Sequence, residues 1–262
     1  MASKEEIYAN RIFLNAALPL LKPIVESSEK LKEKFKATNA IVQVSALDED
    51  GKVATHFVIE NGAWTVVKGT AERPDLELEF KSIGDLNGFF SGKSKKLPRL
   101  KGLVRHPLLF ASFLSLLLTM AKLLGASDIP EKEEDRQLLV KLYFYLLSSG
   151  ISQLNKSGHP EVSKWAKSSP DRVYAWAVDG CPELSAYIRV KNGNTKACRG
   201  QYTRSKPFFT MRFDSTTSAL GILLSKDEML KSTAEGKLIM EGAPEFGAQL
   251  GEYMLLVGSY AK

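Results

Sequence analysis

The sequence predicts an α+β fold made of two tandem modules, each an antiparallel-rich sheet covered by helices on one face. Three observations predict it. A strand–turn–strand stretch occurs twice, as IVQVSALDEDGKVATHFVIENGAWTVVKG at 41–69 and RVYAWAVDGCPELSAYIRVKNGNTKACRG at 172–200, with Asn61-Gly62 and Asn192-Gly193 set 131 positions apart. A strand-like segment follows each copy, DLELEF at 75–80 and PFFTMRF at 207–213. Each half then closes on an apolar run of helical length, PLLFASFLSLLLTMAKLL at 107–124 and PEFGAQLGEYMLLV at 244–257. Asn-Gly supplies the two positive-φ positions of a type I′ turn, and two such turns in register argue for a duplicated module.

Residues 4–18 read as an amphipathic helix marked by Ile7, Ile12, Phe13 and Ala17, interrupted or kinked by Pro19 and Pro23. A second helix is expected over 24–37. Strands follow at 41–47, 53–60 and 63–68, joined by Asp48–Gly51 and the Asn-Gly turn. In DLELEF, Leu76, Leu78 and Phe80 point one way and Asp75, Glu77 and Glu79 point to water, which predicts a half-buried antiparallel strand. Ser82 with Asp85 resembles a capping box opening a short helix with Leu86, Phe89 and Phe90. A basic loop, SGKSKKLPRLKG, leads into the helix at 107–124. Pro130 with Glu131, Glu133 and Glu134 suits the start of a helix over 130–149. A looser segment carries Val162 and Trp165 into the second hairpin.

The second half repeats the first. The 131 offset aligns Gly69 with Gly200, Asp48 with Asp179 and Ala46 with Ala177, and it becomes 133 at PFFTMRF, where two residues have been added in a turn. Phe209, Met211 and Phe213 thereby take the places of Leu76, Leu78 and Phe80. Ser215 takes that of Ser82, and Ser225 with Glu228 reads as a further capping box. GKLIMEG at 236–242 is the final strand. The division expected is 1–128 and 129–262, each half long enough to bury a core.

The net charge of +6 is local: between Asp85 and Asp128 there is no acid, and Lys93, Lys95, Lys96, Arg99, Lys101, Arg105 and Lys122 lie in that interval. The rest of the chain is close to neutral, so nucleic acid is a poor partner. Cys181 and Cys198 are the only cysteines, too few for a disulfide scaffold, and they fit a reducing compartment. The polar start MASKEEIYAN has no secretory pattern, so a cytoplasmic location is the expectation.

FDSTTSALGILL, GKLIMEGAPE and FGAQLGEYMLLV, the run from Phe213 to Val257, resemble the sterol carrier protein type 2 family of nonspecific lipid-binding domains. The first half enters through the internal repeat, with Lys101-Gly102-Leu103-Val104 as the counterpart of GKLIMEG. The resemblance makes the two modules sterol-carrier-like. It implies a five-stranded sheet roofed by helices over an apolar tunnel, a fatty acid, acyl-CoA, sterol or isoprenoid ligand, and no chemistry on that ligand. The family motif is structural and carries no catalytic residues.

No motif for catalysis stands against that. His56, His106 and His159 are isolated and read as surface residues; no spacing suits zinc, and no phosphate loop or nucleophile elbow is present. The chain is expected not to be an enzyme and to need no cofactor or metal. Candidate ligand-binding residues are Phe209, Met211, Phe213, Leu220, Leu223 and Met254 in the second module and Leu76, Leu78, Phe80 and Phe113 in the first. Any one of them alone reads as plain core. As a set with Met211, Met240 and Met254, they suit an interior that adapts to ligands. Lys93, Lys95, Lys96 and Arg99 are candidate membrane-docking residues, because the basic loop joins an apolar helix too short, by the rule of about 20 residues, to span a bilayer. Two functions stay open. One is a soluble lipid-binding or lipid-transfer protein that touches an anionic membrane. The other is a non-catalytic accessory or scaffold protein for lipid-modifying or isoprenoid-quinone enzymes.

Overall fold

The computed structural model describes residues 2–261. The chain divides into two compact units, Met1–Ala121 with Tyr260–Lys262, and Lys122–Ser259. Each unit contains one five-stranded sheet, and the two sheets have the same strand order.

In the first unit α1 (Lys4–Ile12) starts on Ser3, whose hydroxyl accepts from the Glu6 amide while the Glu6 carboxylate accepts from the Ser3 amide. The helical path then passes Pro19 without breaking. Residues Phe13–Ala17 widen into a π-turn in which the Leu18 amide reaches Phe13 O, and Leu18–Leu20 tighten into a 3₁₀ turn. This change of register bypasses the N–H that Pro19 lacks. The π-turn carbonyl of Leu14 accepts a 2.6 Å bond from the Thr55 hydroxyl, so the irregular turn is tied to the sheet. After α2 (Leu21–Glu26), the Ser28 hydroxyl caps α3 (Glu29–Phe35). The expected two helices are therefore three, the break falling at Ser27-Ser28 rather than at a proline.

The sheet follows: β1 (Asn39–Asp48), β2 (Gly51–Glu60), β3 (Ala63–Lys68), β4 (Leu76–Phe80) and β5 (Arg99–Lys101), in spatial order β3-β2-β1-β4-β5. Asn61 and Gly62 sit at φ 48° and 79°, as the type I′ turn requires. Strand β4 corrects two expectations. It runs parallel to β1, with Val42 beside Leu76 and Val44 beside Leu78, and antiparallel only to β5. Alternation identifies a two-faced strand but not its direction. Glu77 and Glu79 also do not face water: they are 4% and 9% exposed. Lysines from β2 and β5 close over them. α4 (Ile83–Phe90) is capped by Ser82 as expected, and α5 (Pro107–Leu124) closes the unit.

The second unit holds α6 (Glu133–Lys156), α7 (Pro160–Ser168), β6 (Arg172–Val178), β7 (Ala186–Lys191), β8 (Asn194–Arg199), β9 (Phe209–Phe213), α8 (Thr216–Leu223), α9 (Met229–Ala234), β10 (Leu238–Glu241) and α10 (Pro244–Tyr260). Its sheet order is β8-β7-β6-β9-β10, with β6 and β9 parallel. Asn192 and Gly193 repeat the turn at φ 49° and 76°. Ser215 repeats the cap of Ser82, at φ −152° and ψ 163° against −154° and 163°.

The structural repeat is not gapless. Val42 lies beside Leu76 and Tyr174 lies beside Phe209, so β1 maps onto β6 at an offset of 132, not 131. Ala46 therefore answers to Val178, and a one-residue slip in a strand exchanges its two faces. The missing residue lies between the first two strands. There β2 begins four residues earlier, at Gly51, where the second unit has a 3₁₀ turn at Pro182–Leu184. Ser225 does not cap a helix: it takes φ 57° and ends α8, and α9 starts from Glu228 without a side-chain cap.

Candidate functional site

Alternation along β9 sends Phe209, Met211 and Phe213 to one face, level with Tyr174, Trp176 and Val178 of the parallel β6. All three β9 residues and Leu220 of α8 are fully buried. Phe213 stacks with Phe144 of α6 at 6.0 Å, and Met240 pairs with Met211 across the sheet. From α10, Met254 brings its Sδ to 3.4 Å from the Trp176 indole nitrogen. Five of the six candidates of this module thus lie in its buried interior; Leu223, at the end of α8, is half-buried. The roof is close: a methyl group placed on Gly247 would meet Met240 Sδ at 2.5 Å and Phe209 Cζ at 3.0 Å.

The first module repeats this with other side chains. Leu76, Leu78 and Phe80 share a face with Val42, Val44 and Ala46 and are at most 3% exposed. Phe57 contacts Phe113 of α5 at 5.8 Å and Trp64 at 5.5 Å, while Phe80 packs on Phe89 and Phe90. The ten candidate residues belong to two separate interiors.

The opposite face of the first sheet holds a cluster that hydrophobic patterning does not reveal. The Glu77 carboxylate accepts from Gln43 Nε2, Ser45 Oγ and Lys52 Nζ, each at 2.7 Å, and Lys101 Nζ lies 3.1 Å from its other oxygen. Glu79 takes Lys101 at 2.5 Å and also Lys52. Burial alone would push the Glu77 carboxyl up; the donors Lys52, Ser45, Gln43 and Lys101 overcome this and hold it at about 2. Glu79 is lowered by Lys101 and Lys52. The sequence signal was present, since acids at 77 and 79 must meet whatever the neighbouring strands carry at Lys52 and Lys101.

Two histidines also depart from the surface role expected of them. His56 and His159 are 9% and 8% exposed, and His56 Nδ1 lies 2.8 Å from Gly69 O.

Helix α5 buries one stripe, Phe113, Leu116, Leu117 and Met120, and no other residues of its eighteen. The reverse side, from Leu108 through Ala111 and Leu114 to Leu118, is exposed and carries no charge. Leu108 is 82% exposed and Leu118 62%; nearby in sequence Leu97 is 80% and Val104 95%. A helix apolar all round ordinarily has no solvent face. Length and composition alone would let α5 cross a membrane, but its buried stripe packs it onto the module. Lys93, Lys95, Lys96 and Arg99 are placed in the loop and edge strand before α5; Lys96 is paired with Asp85 at 2.7 Å.

Two surface pockets of about 600 Å³ each lie in the second unit, one beside Pro160 and Lys164, the other beside Arg172 and Phe208. None of the candidate ligand-binding residues lines either one.

No family model matches the chain, and no curated protein matches it. Among solved structures it is similar to a crystal structure of sterol carrier protein 2, with 16% identity over 44% of this chain and 92% of that chain and a TM-score of 0.29. It is also similar to the solution structure of a conserved hypothetical protein from Thermus thermophilus, titled as a candidate sterol carrier protein. That match has 18% identity over 52% of this chain and 92% of that one, at a TM-score of 0.30. A third is the stereoselective inverting sec-alkylsulfatase Pisa1 from Pseudomonas sp., at 12% identity, 65% of this chain, 31% of that chain and a TM-score of 0.26.

Proposed function

We propose that the protein is a non-catalytic lipid-binding protein working at an anionic membrane surface. A long-chain apolar ligand, whether fatty acid, acyl-CoA, sterol or isoprenoid, enters between sheet and helices, and α5 is the element that meets the bilayer. One observation carries this reading: α5 keeps a charge-free apolar face in solvent, next to a loop rich in lysine and arginine.

An exposed leucine gains about 1.5–3 kcal/mol on full burial. Each lysine or arginine near an anionic leaflet adds about 1 kcal/mol, screened by salt. Leu108 and Leu118, 82% and 62% exposed, therefore supply an insertion term. Lys93 and Lys95, which have no carboxylate partner among the described residues, supply an electrostatic one. A ligand of ten or more methylenes leaves the bilayer most readily through a protein face that excludes water, and lifting α5 from Phe57 opens such a route. The cytoplasmic leaflet has the charge this surface fits.

The test is cosedimentation of the full chain with phosphatidylcholine vesicles, with and without phosphatidylserine, at low and high salt. Native mass spectrometry of the recovered protein follows. Salt-sensitive binding to the anionic vesicles is expected. It is lost on Lys93→Glu with Lys95→Glu and on Leu118→Asp, and recovered protein carries lipid mass. No vesicle binding at low salt sinks the proposal. A lipid-free chain held in a stable complex with a lipid-modifying enzyme would establish the accessory role instead.

A further inference from the structure

Residues 200–207, between the second hairpin and β9, form a connection two residues longer than its counterpart at 69–74. The longer connection borders a surface pocket of about 600 Å³ to which it contributes Tyr202, Ser205 and Lys206. Arg172 and Phe208 form the facing wall. Insertions that reshape one copy of a repeat are where binding residues collect.

The charges in this pocket are unbalanced. Its acid, Asp171, is already taken: Arg189 holds it through two bonds of 2.8 and 2.5 Å. Arg172 is held by rings instead, with its guanidinium carbon 3.8 Å from the Phe208 centroid and 5.3 Å from that of Phe246. Those two rings pack edge to face at 4.8 Å, so the wall is fixed before anything binds. Among the described residues neither Arg172 nor Lys206 has a carboxylate partner. The first module has nothing like it: Ala40 and Asp75 occupy the places of Arg172 and Phe208, and Asp75 accepts a 2.7 Å bond from the Ile41 amide.

We propose that this pocket binds a phosphate monoester carrying a flat or apolar group. The phosphate sits between Arg172 and Lys206, with the Ser205 and Tyr202 hydroxyls as further donors. Phe208, 37% exposed, receives the apolar part. A phosphate monoester brings nearly two negative charges and three acceptor oxygens, which suits two separate cations. A carboxylate fits a single planar fork better, the use Arg189 already makes of Asp171. The phosphate can belong to a soluble compound or to a lipid headgroup, and the site does not rest on the docking of α5.

The test titrates the full chain with phenyl phosphate by calorimetry, with inorganic phosphate for comparison. In parallel, phosphatidylcholine vesicles with and without phosphatidic acid are cosedimented. Lys206→Glu and Arg172→Gln are compared with Lys30→Glu, which makes the same charge change on an exposed face of α3. One equivalent of phenyl phosphate should bind, more tightly than inorganic phosphate. Each pocket variant should weaken binding about tenfold or more, the usual effect of losing a charged hydrogen bond. Lys30→Glu should leave it unchanged. Binding of phenyl phosphate supports a soluble ligand; phosphatidic-acid binding that is lost with Lys206→Glu supports a headgroup. The proposal is overturned if neither probe binds, or if binding survives both pocket variants while circular dichroism shows them folded. Lys206 is exposed, so its variant isolates charge from folding.

Discussion

In the first module, the strand next to β1 places Glu77 and Glu79 on the face away from the apolar interior. In the second module the same positions of β9 hold Thr210 and Arg212. The edge strand changes with them. Lys101 is paired with Glu77 in the first sheet, and Glu241 is paired with Thr210 in the second. Both edge residues then reach diagonally, Lys101 to Glu79 at 2.5 Å and Glu241 to Arg212 at 2.9 Å. The ion pair is kept and its polarity is exchanged. What is not kept is burial. Lys52, from the early start of β2, seals the first pair, and Glu79 has 11% of its side chain exposed. In the second module Asp179 braces Arg212 from an open turn, and all three partners are about a third exposed or more. Duplication has preserved backbone geometry and left charge free to vary, and strand length decides how much each charge matters.

The most severe test of the shared backbone is at the glycine that follows each edge strand. Gly102 sits at φ 82°, and a methyl group there would lie 1.9 Å from Asp75 O. Gly242 sits at φ 132°, and its methyl group would lie 2.8 Å from a Phe209 ring carbon and 3.1 Å from Phe208 O. Both glycines thus pass over the residue just before, or at the start of, the central strand. Positive φ alone costs an L-residue about 1–2 kcal/mol. Overlap with a fixed carbonyl adds roughly as much again or more, whereas a ring edge can tilt. Gly102→Ala should therefore cost about 3–4 kcal/mol and Gly242→Ala about 2 kcal/mol in urea unfolding. Equal losses would mean the two crossings are not built alike.

The next test compares the charge clusters. Lys52→Met removes one cation from two buried carboxylates while Lys101, Gln43 and Ser45 remain, so a loss of about 2–3 kcal/mol is expected, below the full cost of orphaning a buried charge. Arg212→Met breaks an exposed network and should cost about 1 kcal/mol or less. If the two losses match, burial is not what separates the modules.

The apolar half of this architecture was legible in the sequence because periodicity reports burial. Leu76, Leu78 and Phe80 alternate, and Asn-Gly fixes a turn. The direction of β4 was not legible, since an alternating strand looks the same parallel or antiparallel. The 131 offset failed in β1 because the turn signals lie on one side of a deletion and the β1 side chains on the other. Glu77 and Glu79 read as solvated because burial by salt bridge leaves no hydrophobic trace. The candidate residues were recognisable as interior, while the pocket at Arg172 was hidden in a connection whose two extra residues were visible only as a change of offset.

The smallest effect expected is an acid one, and it again divides the modules. An ordinary glutamate carboxyl titrates near 4.5, and Glu77 is held at about 2 by its four donors. In the unfolded chain Glu77 therefore takes up its proton first as the pH falls. The unfolded state binds more protons across this window, so the stabilisation is complete above about 4.5 and is lost as the pH falls toward 2. In the second module, Asp171 is also lowered, by the Arg189 hydrogen bonds, but 41% of its side chain is exposed and water screens the pair. Urea midpoints of the full chain at about pH 6 and about pH 3 should differ clearly, and Glu77→Gln should shrink that difference although the variant is less stable at both values. Asp171→Asn should leave most of it. A pH difference untouched by Glu77→Gln would show that the cluster on the first sheet is not what acid attacks.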